Sequence, residues 1–154
     1  MRKTLLSHDT APEDAVWIDL DQVASVEITS EDAACPIEGA LLSGASSGWR
    51  AAGPGEQTIR LLFNSPQRVS RIHLEFVETS IERVQELVLR WKPKGSTVSQ
   101  EIVRQQFVFS PAGATREVEN YYVDLRDVVE LELQIQPGMS NNSTVASLER
   151  LRVG

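Results

Sequence analysis

The chain has 154 residues, 41% of them hydrophobic and 24% charged, a composition that fits one globular domain and excludes a disordered chain. The formal net charge is -7 at pH 7, and the fifteen Lys and Arg residues are scattered along the sequence without a basic run. The sequence therefore disfavours nucleic acid and anionic membranes as partners, because its long-range field repels both.

The single cysteine, Cys35, cannot form an intrachain disulfide. The N-terminal residues contain only a two-residue apolar run, whereas a signal peptide needs an apolar stretch of about 7–15 residues. No window approaches the ~20 apolar residues of a membrane-spanning helix. We therefore expect a cytoplasmic protein without membrane insertion, folded as a single domain over 1–154 with residues 1–14 partly frayed.

The hydrophobic pattern predicts strands along most of the chain, because apolar and polar residues alternate as in half-buried strands. Strands are predicted at 16–20, 23–28, 58–63, 69–76, 84–91, 102–109, 117–125, 130–136 and 146–153. A helical turn is predicted at 36–42, and Pro- or Gly-containing turns are predicted at 64–67, 93–96 and 110–115. This spacing predicts an all-β antiparallel sandwich of about eight strands.

Residues 29–56 form the longest stretch without a predicted strand, and such a stretch is often a functional loop. It contains the helical turn, a Gly/Ser loop and the pair Gly48-Trp49, and it leads into Gln57-Thr58-Ile59-Arg60-Leu61. A Pro66 turn and an alternating strand with Ile72, Leu74 and Phe76 follow. This order of motifs resembles the galactose-binding-like domains, which include the discoidin or coagulation-factor C-type modules.

The resemblance implies an eight-stranded jelly roll whose loops at one end bind ligands, often sugars and sometimes lipid head groups or proteins. The Asp-rich loop that can hold a structural calcium in that family is replaced here by residues 43–47, which carry no carboxylate. A calcium site would depend on Glu31, Asp32 or Glu38, so no cofactor is expected. The family's extracellular modules also carry a cysteine pair that this chain lacks, which suggests an intracellular relative.

Polar residues near the junction at 78–86 are the candidate ligand-binding set, since Arg and Gln side chains can hold vicinal sugar hydroxyls by paired hydrogen bonds. These residues would lie close together if the strands at 84–91 and 102–109 form a hairpin. The set consists of Glu78, Arg83, Gln85, Arg104 and Gln106.

Two further candidates follow Gly48, where Trp49 and Arg50 could form a platform for a sugar ring. The favoured alternative is that Trp49 fills the core. Trp91 is in phase with core residues, and Trp17 is the aromatic with the most freedom. The polar positions of the strands are predicted as a solvated face with cross-strand charge pairs: Arg71, His73, Glu75, Glu86, Arg90, Arg104 and Gln106.

No catalytic constellation is visible. The histidines, His8 and His73, cannot be paired with Cys35 from sequence, and no phosphate loop or zinc-ligand spacing occurs. The sequence therefore predicts a non-catalytic binding module with a carbohydrate ligand, or alternatively an intracellular protein-interaction or scaffolding domain. A concave polar pocket with an exposed ring would favour the sugar, and a flat apolar patch would favour a partner protein.

Overall fold

The structure, a computed structural model, describes residues 16–44, 47–140 and 142–154, so the predicted frayed segment lies outside the described residues. Within these residues the chain forms eight strands and two one-turn helices. In chain order they are α1 (Leu20–Val23), β1 (Ala24–Ile28), α2 (Glu38–Leu41), β2 (Trp49–Pro54), β3 (Gln57–Val77), β4 (Arg83–Pro93), β5 (Gln100–Phe109), β6 (Arg116–Gln136), β7 (Val145–Leu148) and β8 (Arg150–Val153). None of the helices in this part of the chain is long and apolar enough to cross a membrane.

Two long strands organise the molecule. β3 and β6 have 21 residues each and pair antiparallel as one ribbon. The register shifts between Leu62 and Arg71, and Asp127 on the opposite strand has a positive φ of 56°. These irregularities bend the ribbon, because extra residues in one strand of a pair kink it.

The bent ribbon supplies both layers of a sandwich. Its first layer has the strand order β1-β3-β6-β4-β5 and contains β3 residues 57–62. Its second layer contains β3 residues 69–77, which lie between β6 and β8. A separate two-stranded sheet pairs β2 with β7.

The core lies between the two layers. Ile59 and Leu61 come from the first layer and Ile72 and Leu74 from the second, and all four are buried in one cluster. The rings of Phe76 on β3 and Phe107 on β5 meet across the core with centroids 5.6 Å apart. The predicted antiparallel jelly-roll sandwich is thereby confirmed.

Some predicted boundaries are wrong. The predicted turn at 64–67 is part of β3, and Pro66 is accommodated because the register shift leaves residues 63–66 without a partner on β6. The strands predicted at 117–125 and 130–136 are one strand, β6.

The segment predicted as a strand at 16–20 is irregular and leads into α1, although the backbone N–H of Ile18 donates to the Val153 carbonyl (2.7 Å). The strand predicted at 146–153 is two strands that separate at Glu149 and join different sheets. β2 was not predicted. The helical turn and the remaining strands are confirmed.

Candidate functional site

The structure divides the five residues predicted at the 78–86 junction into two groups. Neighbouring residues of β4 point to opposite faces of the sheet. Arg83 and Gln85 therefore point into the sandwich and are 5% and 0% exposed. Arg104 and Gln106 lie on the outer face with Glu86 instead. The predicted set does not form one site.

Arg83 closes one end of the sandwich. Its Nε donates to Glu78 Oε1 (2.8 Å), and its Nη1 donates to Gln85 Oε1 (2.6 Å) and to the Pro137 carbonyl (2.7 Å). The guanidinium also lies 4.8 Å from the centroid of the Phe109 ring. Burial lowers the pKa of Arg83, and the Glu78 carboxylate opposes that shift. The contacts of this buried group are structural.

Arg104 and Gln106 belong to a solvated network. Arg104 donates to Glu86 Oε1 (2.8 Å) and Glu101 Oε1 (3.0 Å), and Gln106 Nε2 donates to Glu86 Oε2 (2.9 Å). The Arg104 side chain is 49% exposed. These pairs agree with the predicted solvated face of the first layer.

Trp49 lies in the core with 1% of its surface exposed. Its Nε1 donates to the Ser30 carbonyl (3.0 Å), which satisfies the polar end of the indole. The sugar-platform interpretation of Trp49 is therefore wrong, because neither ring face reaches solvent. Arg50 is exposed on the opposite face of β2.

The solvated-face prediction is also wrong for His73 and Glu75, which are 1% and 4% exposed. Trp17 lies over His73, with ring centroids 6.2 Å apart. Arg116 and Arg150 cover Glu75 with ion pairs of 2.8 and 3.2 Å. The side chains of Trp17, Arg116 and Arg150 thus cover the outer face of β3.

A groove of about 530 Å³ lies between the segment before β1 and the end of α2. This volume is within the usual range of small-ligand sites. The hydrogen bond from Ile18 to Val153 holds one wall against β8. Its lining residues are Trp17, Ile18, Asp19, Leu20, Asp21, Leu41, Leu42, Ser43 and Arg152.

Trp17 is the aromatic residue of this groove and is half-buried. The C-terminal residue packs closely on it, since a Cβ built on Gly154 would lie 3.1 Å from the indole. The Arg71 guanidinium lies 5.0 Å from the ring centroid. These contacts fix the orientation of the indole, part of which still lines the groove.

Arg152 contributes the cationic group of the groove. Its Nη1 donates to the Ala40 carbonyl (2.8 Å) and its Nη2 to the Leu42 carbonyl (3.1 Å), so it binds the C-terminal end of α2. Burial lowers the pKa of Arg152, and the nearby charge of Arg150 adds to this.

Asp19 and Asp21 supply exposed carboxylates on the opposite wall. Among the described residues, neither has an ion-pair partner. A site with one indole, two carboxylates, the Ser43 hydroxyl and a guanidinium can accept and donate hydrogen bonds around an apolar ring face. This is the chemistry required to hold a polyhydroxylated ligand.

The sequence drew attention to Trp17 but missed the other groove residues. Trp17, Asp19 and Asp21 follow one another at intervals of two, which was the available signal. The sequence carried no such signal for Arg152, because its position depends on the pairing of β8 with β3.

No group of three or more His, Cys, Asp or Glu residues suited to a metal ion occurs in the described ranges. Two carboxylates considered for calcium bind backbone instead. Glu31 Oε2 accepts from the Ile37 N–H, and Asp32 Oδ1 accepts from the Ala34 N–H, both at 2.9 Å.

Solved structures share this architecture. The family 32 carbohydrate-binding module of Clostridium perfringens NanJ, solved with galactose, superposes with a TM-score of 0.65 at 16% identity, covering 89% of this chain and 96% of that one. An F5/8 type C domain from Bacteroides fragilis gives 0.62 at 13% identity over 92% and 97% of the two chains. The chain has the galactose-binding-like fold.

The family 32 module of AlyQ, solved with 4,5-unsaturated mannuronic acid, also has this fold, with a TM-score of 0.62 at 15% identity over 86% of this chain and 95% of that module. The galactose-binding-like resemblance found in the sequence is therefore confirmed for the fold. No protein-family model and no curated protein matches the chain.

Proposed function

We propose that this protein is a non-catalytic carbohydrate-binding module and that the groove beside Trp17 holds the sugar. The observation that carries the proposal is the half-buried indole of Trp17 in a polar groove with two exposed carboxylates. The ring would pack against the C–H face of a pyranose, and Asp19 and Asp21 would accept hydrogen bonds from its hydroxyls.

The fold supports this proposal. Structures with the same architecture include modules solved with galactose and with GalNAc-β-1,3-galactose, and a module described as pectin-binding. Some of these modules occur beside catalytic domains, as in AlyQ with its alginate lyase domain. Among the described residues, the lining of the groove contains no histidine, cysteine or lysine.

The alternative, a protein-interaction domain, predicts a contiguous apolar surface. The large exposed apolar side chains of the described residues are Val16, Ile81, Val98, Val108, Tyr122 and Met139. Val108 and Met139 both adjoin Val84 of β4. The groove is preferred because it combines an indole with groups that can bind sugar hydroxyls.

A thermal-shift screen against neutral mono- and oligosaccharides tests the proposal. A sugar at ~100 times its dissociation constant should stabilise the fold by about 2.7 kcal/mol. The double variant Asp19→Asn/Asp21→Asn should lose that shift, and the control Glu27→Gln, an exposed carboxylate outside the groove, should keep it.

Two results would overturn the proposal. If no sugar shifts the melting temperature at millimolar concentration, carbohydrate binding is not supported. If the double variant keeps the full shift, the groove is not the site.

A further inference from the structure

The arginines that are scattered in the sequence come together on the outer face of the second layer. Arg150 and Arg152 of β8 lie opposite Glu75 and His73 of β3, and β6 residues lie opposite the same strand on its other side. Directly opposite residues share a face of a sheet. We call the set Arg71, Arg116, Arg150 and Arg152 the basic face.

The basic face holds four guanidinium groups, two of which share one buried carboxylate. Arg116 and Arg150 share Glu75, with distances of 2.8 and 3.2 Å, and their side chains are 53% and 47% exposed. Arg71 donates to the neutral Asn120 Oδ1 (2.9 and 3.2 Å), and Arg152 donates to backbone carbonyls. The face therefore carries an excess of positive charge.

Part of the acidic charge lies away from the basic face, although Asp19 and Asp21 line the adjoining groove. On the first layer, Glu27, Glu130 and Glu132 surround Arg60. Nearer the basic face, Asp124 is engaged by Arg68 at 3.4 Å. Salt screens charges beyond about 8 Å at physiological ionic strength, so the far acidic layer does not cancel the local field.

Two aromatic rings flank Arg71 at one end of the basic face. The Arg71 guanidinium lies 5.0 Å from the Trp17 ring centroid and 5.3 Å from that of Tyr122, which is 73% exposed. Trp17 and Arg152 also line the groove. The groove, the two rings beside Arg71 and the basic face are thus one continuous surface.

We propose that the basic face binds a carboxylated polysaccharide, a polyuronate, in continuation of the groove. This inference rests on the proposed function for the ligand being a carbohydrate. Carboxylates of the polymer would pair with Arg71, Arg150 and Arg116, and a sugar ring would stack on Tyr122. The exposed ring of Tyr122 beside Arg71 favours a charged sugar over an anionic polypeptide, because a pyranose has an apolar C–H face that can pack on an aromatic ring.

Affinity electrophoresis in native gels containing polygalacturonate or neutral galactan tests the inference, with a polysaccharide-free gel as mobility reference. The wild-type protein should be retarded more by polygalacturonate than by galactan. Arg71→Gln and Arg150→Gln should each weaken the apparent affinity for polygalacturonate by about twofold to fivefold. Arg104→Gln is the matched control, since it removes an arginine of similar exposure from the other layer.

The outcomes separate this inference from the proposed function. Retardation by galactan alone would overturn the polyuronate inference and leave carbohydrate binding intact, and retardation by neither polymer would overturn both. Equal retardation by DNA or polyglutamate would show a surface for any polyanion and overturn the inference. An equal loss of affinity in Arg104→Gln and Arg150→Gln would also overturn the inference. Near-UV circular dichroism establishes that each variant is folded.

Discussion

At the scale of single residues, the tryptophans differ in what their surroundings leave available. Trp49 is buried and its indole N–H donates to the Ser30 carbonyl, whereas part of the Trp17 indole lines the groove. Sequence reasoning favoured the core for Trp49, since its neighbours are small. The groove role of Trp17 could not be predicted, because β8 and the Gly154 contact hold the ring in place.

Replacing Trp49 tests its role in the core. Trp49→Ala should lower the free energy of unfolding by about 3–5 kcal/mol, because it leaves a large cavity. Trp49→Phe should cost less, since it keeps an aromatic ring and loses mainly the hydrogen bond to Ser30. Urea unfolding measures both values, and an equal loss in the two variants would contradict the cavity explanation.

Glu75 should make stability depend on acid. Burial raises its pKa, but the hydrogen bond from Arg116 and the charge of Arg150 outweigh burial and leave the pKa below its ordinary value of 4.5. A lowered folded-state pKa stabilises the protein above that ordinary value, and the contribution is lost as pH falls through the folded-state pKa. Wild type should therefore exceed Glu75→Gln by roughly 1–3 kcal/mol near neutral pH.

Urea unfolding between pH 7 and pH 3 measures this difference. The difference in the free energy of unfolding should have its full value at pH 6–7 and decrease below about pH 4.5. The control is Glu27→Gln, which removes an exposed carboxylate paired with Arg60 and should change stability little at any pH. A wild-type advantage over Glu75→Gln that stays constant down to pH 3 would contradict the assignment.

At the scale of elements, Gly48 lets β2 lie against the β7–β8 junction. A Cβ at this position would meet the Leu148 carbonyl at 2.6 Å and Glu149 Cα at 2.9 Å, and both are backbone atoms. Gly48→Ala should therefore cost about 1–3 kcal/mol and lower the melting temperature by several degrees. Gly53→Ala, within β2, is the control, because no atom lies within 4 Å of its Cβ position. A similar melting temperature for the two variants would exclude the close approach.

The bend of β6 depends on Asp127, a non-glycine residue with φ 56° whose carbonyl accepts from the Lys94 N–H (2.8 Å). A β-branched residue is disfavoured in this left-handed region, so Asp127→Val should destabilise the fold by about 1–2 kcal/mol. Asp124→Val, three residues earlier in the same strand, should be tolerated because extended backbone suits valine. Differential scanning calorimetry would compare them, and a larger effect at Asp124 would contradict the backbone argument.

The sequence predicted most strands because alternation along a half-buried strand is a local property, clearest at Leu131, Leu133 and Ile135. The continuity of β3 was not predictable, since Asn64-Ser65-Pro66 has the composition of a turn and only the pairing with β6 makes it a bend. β2 was missed because its Ala and Gly residues give no alternation.

At the scale of the whole molecule, pairing between distant segments creates surfaces that composition does not report. The sequence suggested scattered cations, yet three strands bring Arg71, Arg116, Arg150 and Arg152 to one face. The groove has the same origin, since its walls come from residues 17–21, residues 41–43 and β8. Sequence reasoning could assign the fold, but it lacked the register needed to place either surface.

The shared ribbon should make the molecule unfold as one unit. Because β3 and β6 run through both layers, neither layer can open without breaking strands of the other. Two single-tryptophan variants test this: Trp17→Phe/Trp91→Phe keeps Trp49 beside β7, and Trp17→Phe/Trp49→Phe keeps Trp91 on β4. In each variant the urea midpoint from tryptophan fluorescence should coincide with that from far-UV circular dichroism, as two-state unfolding requires. An early fluorescence transition for Trp49 alone would show that the β2–β7 sheet opens independently of the ribbon.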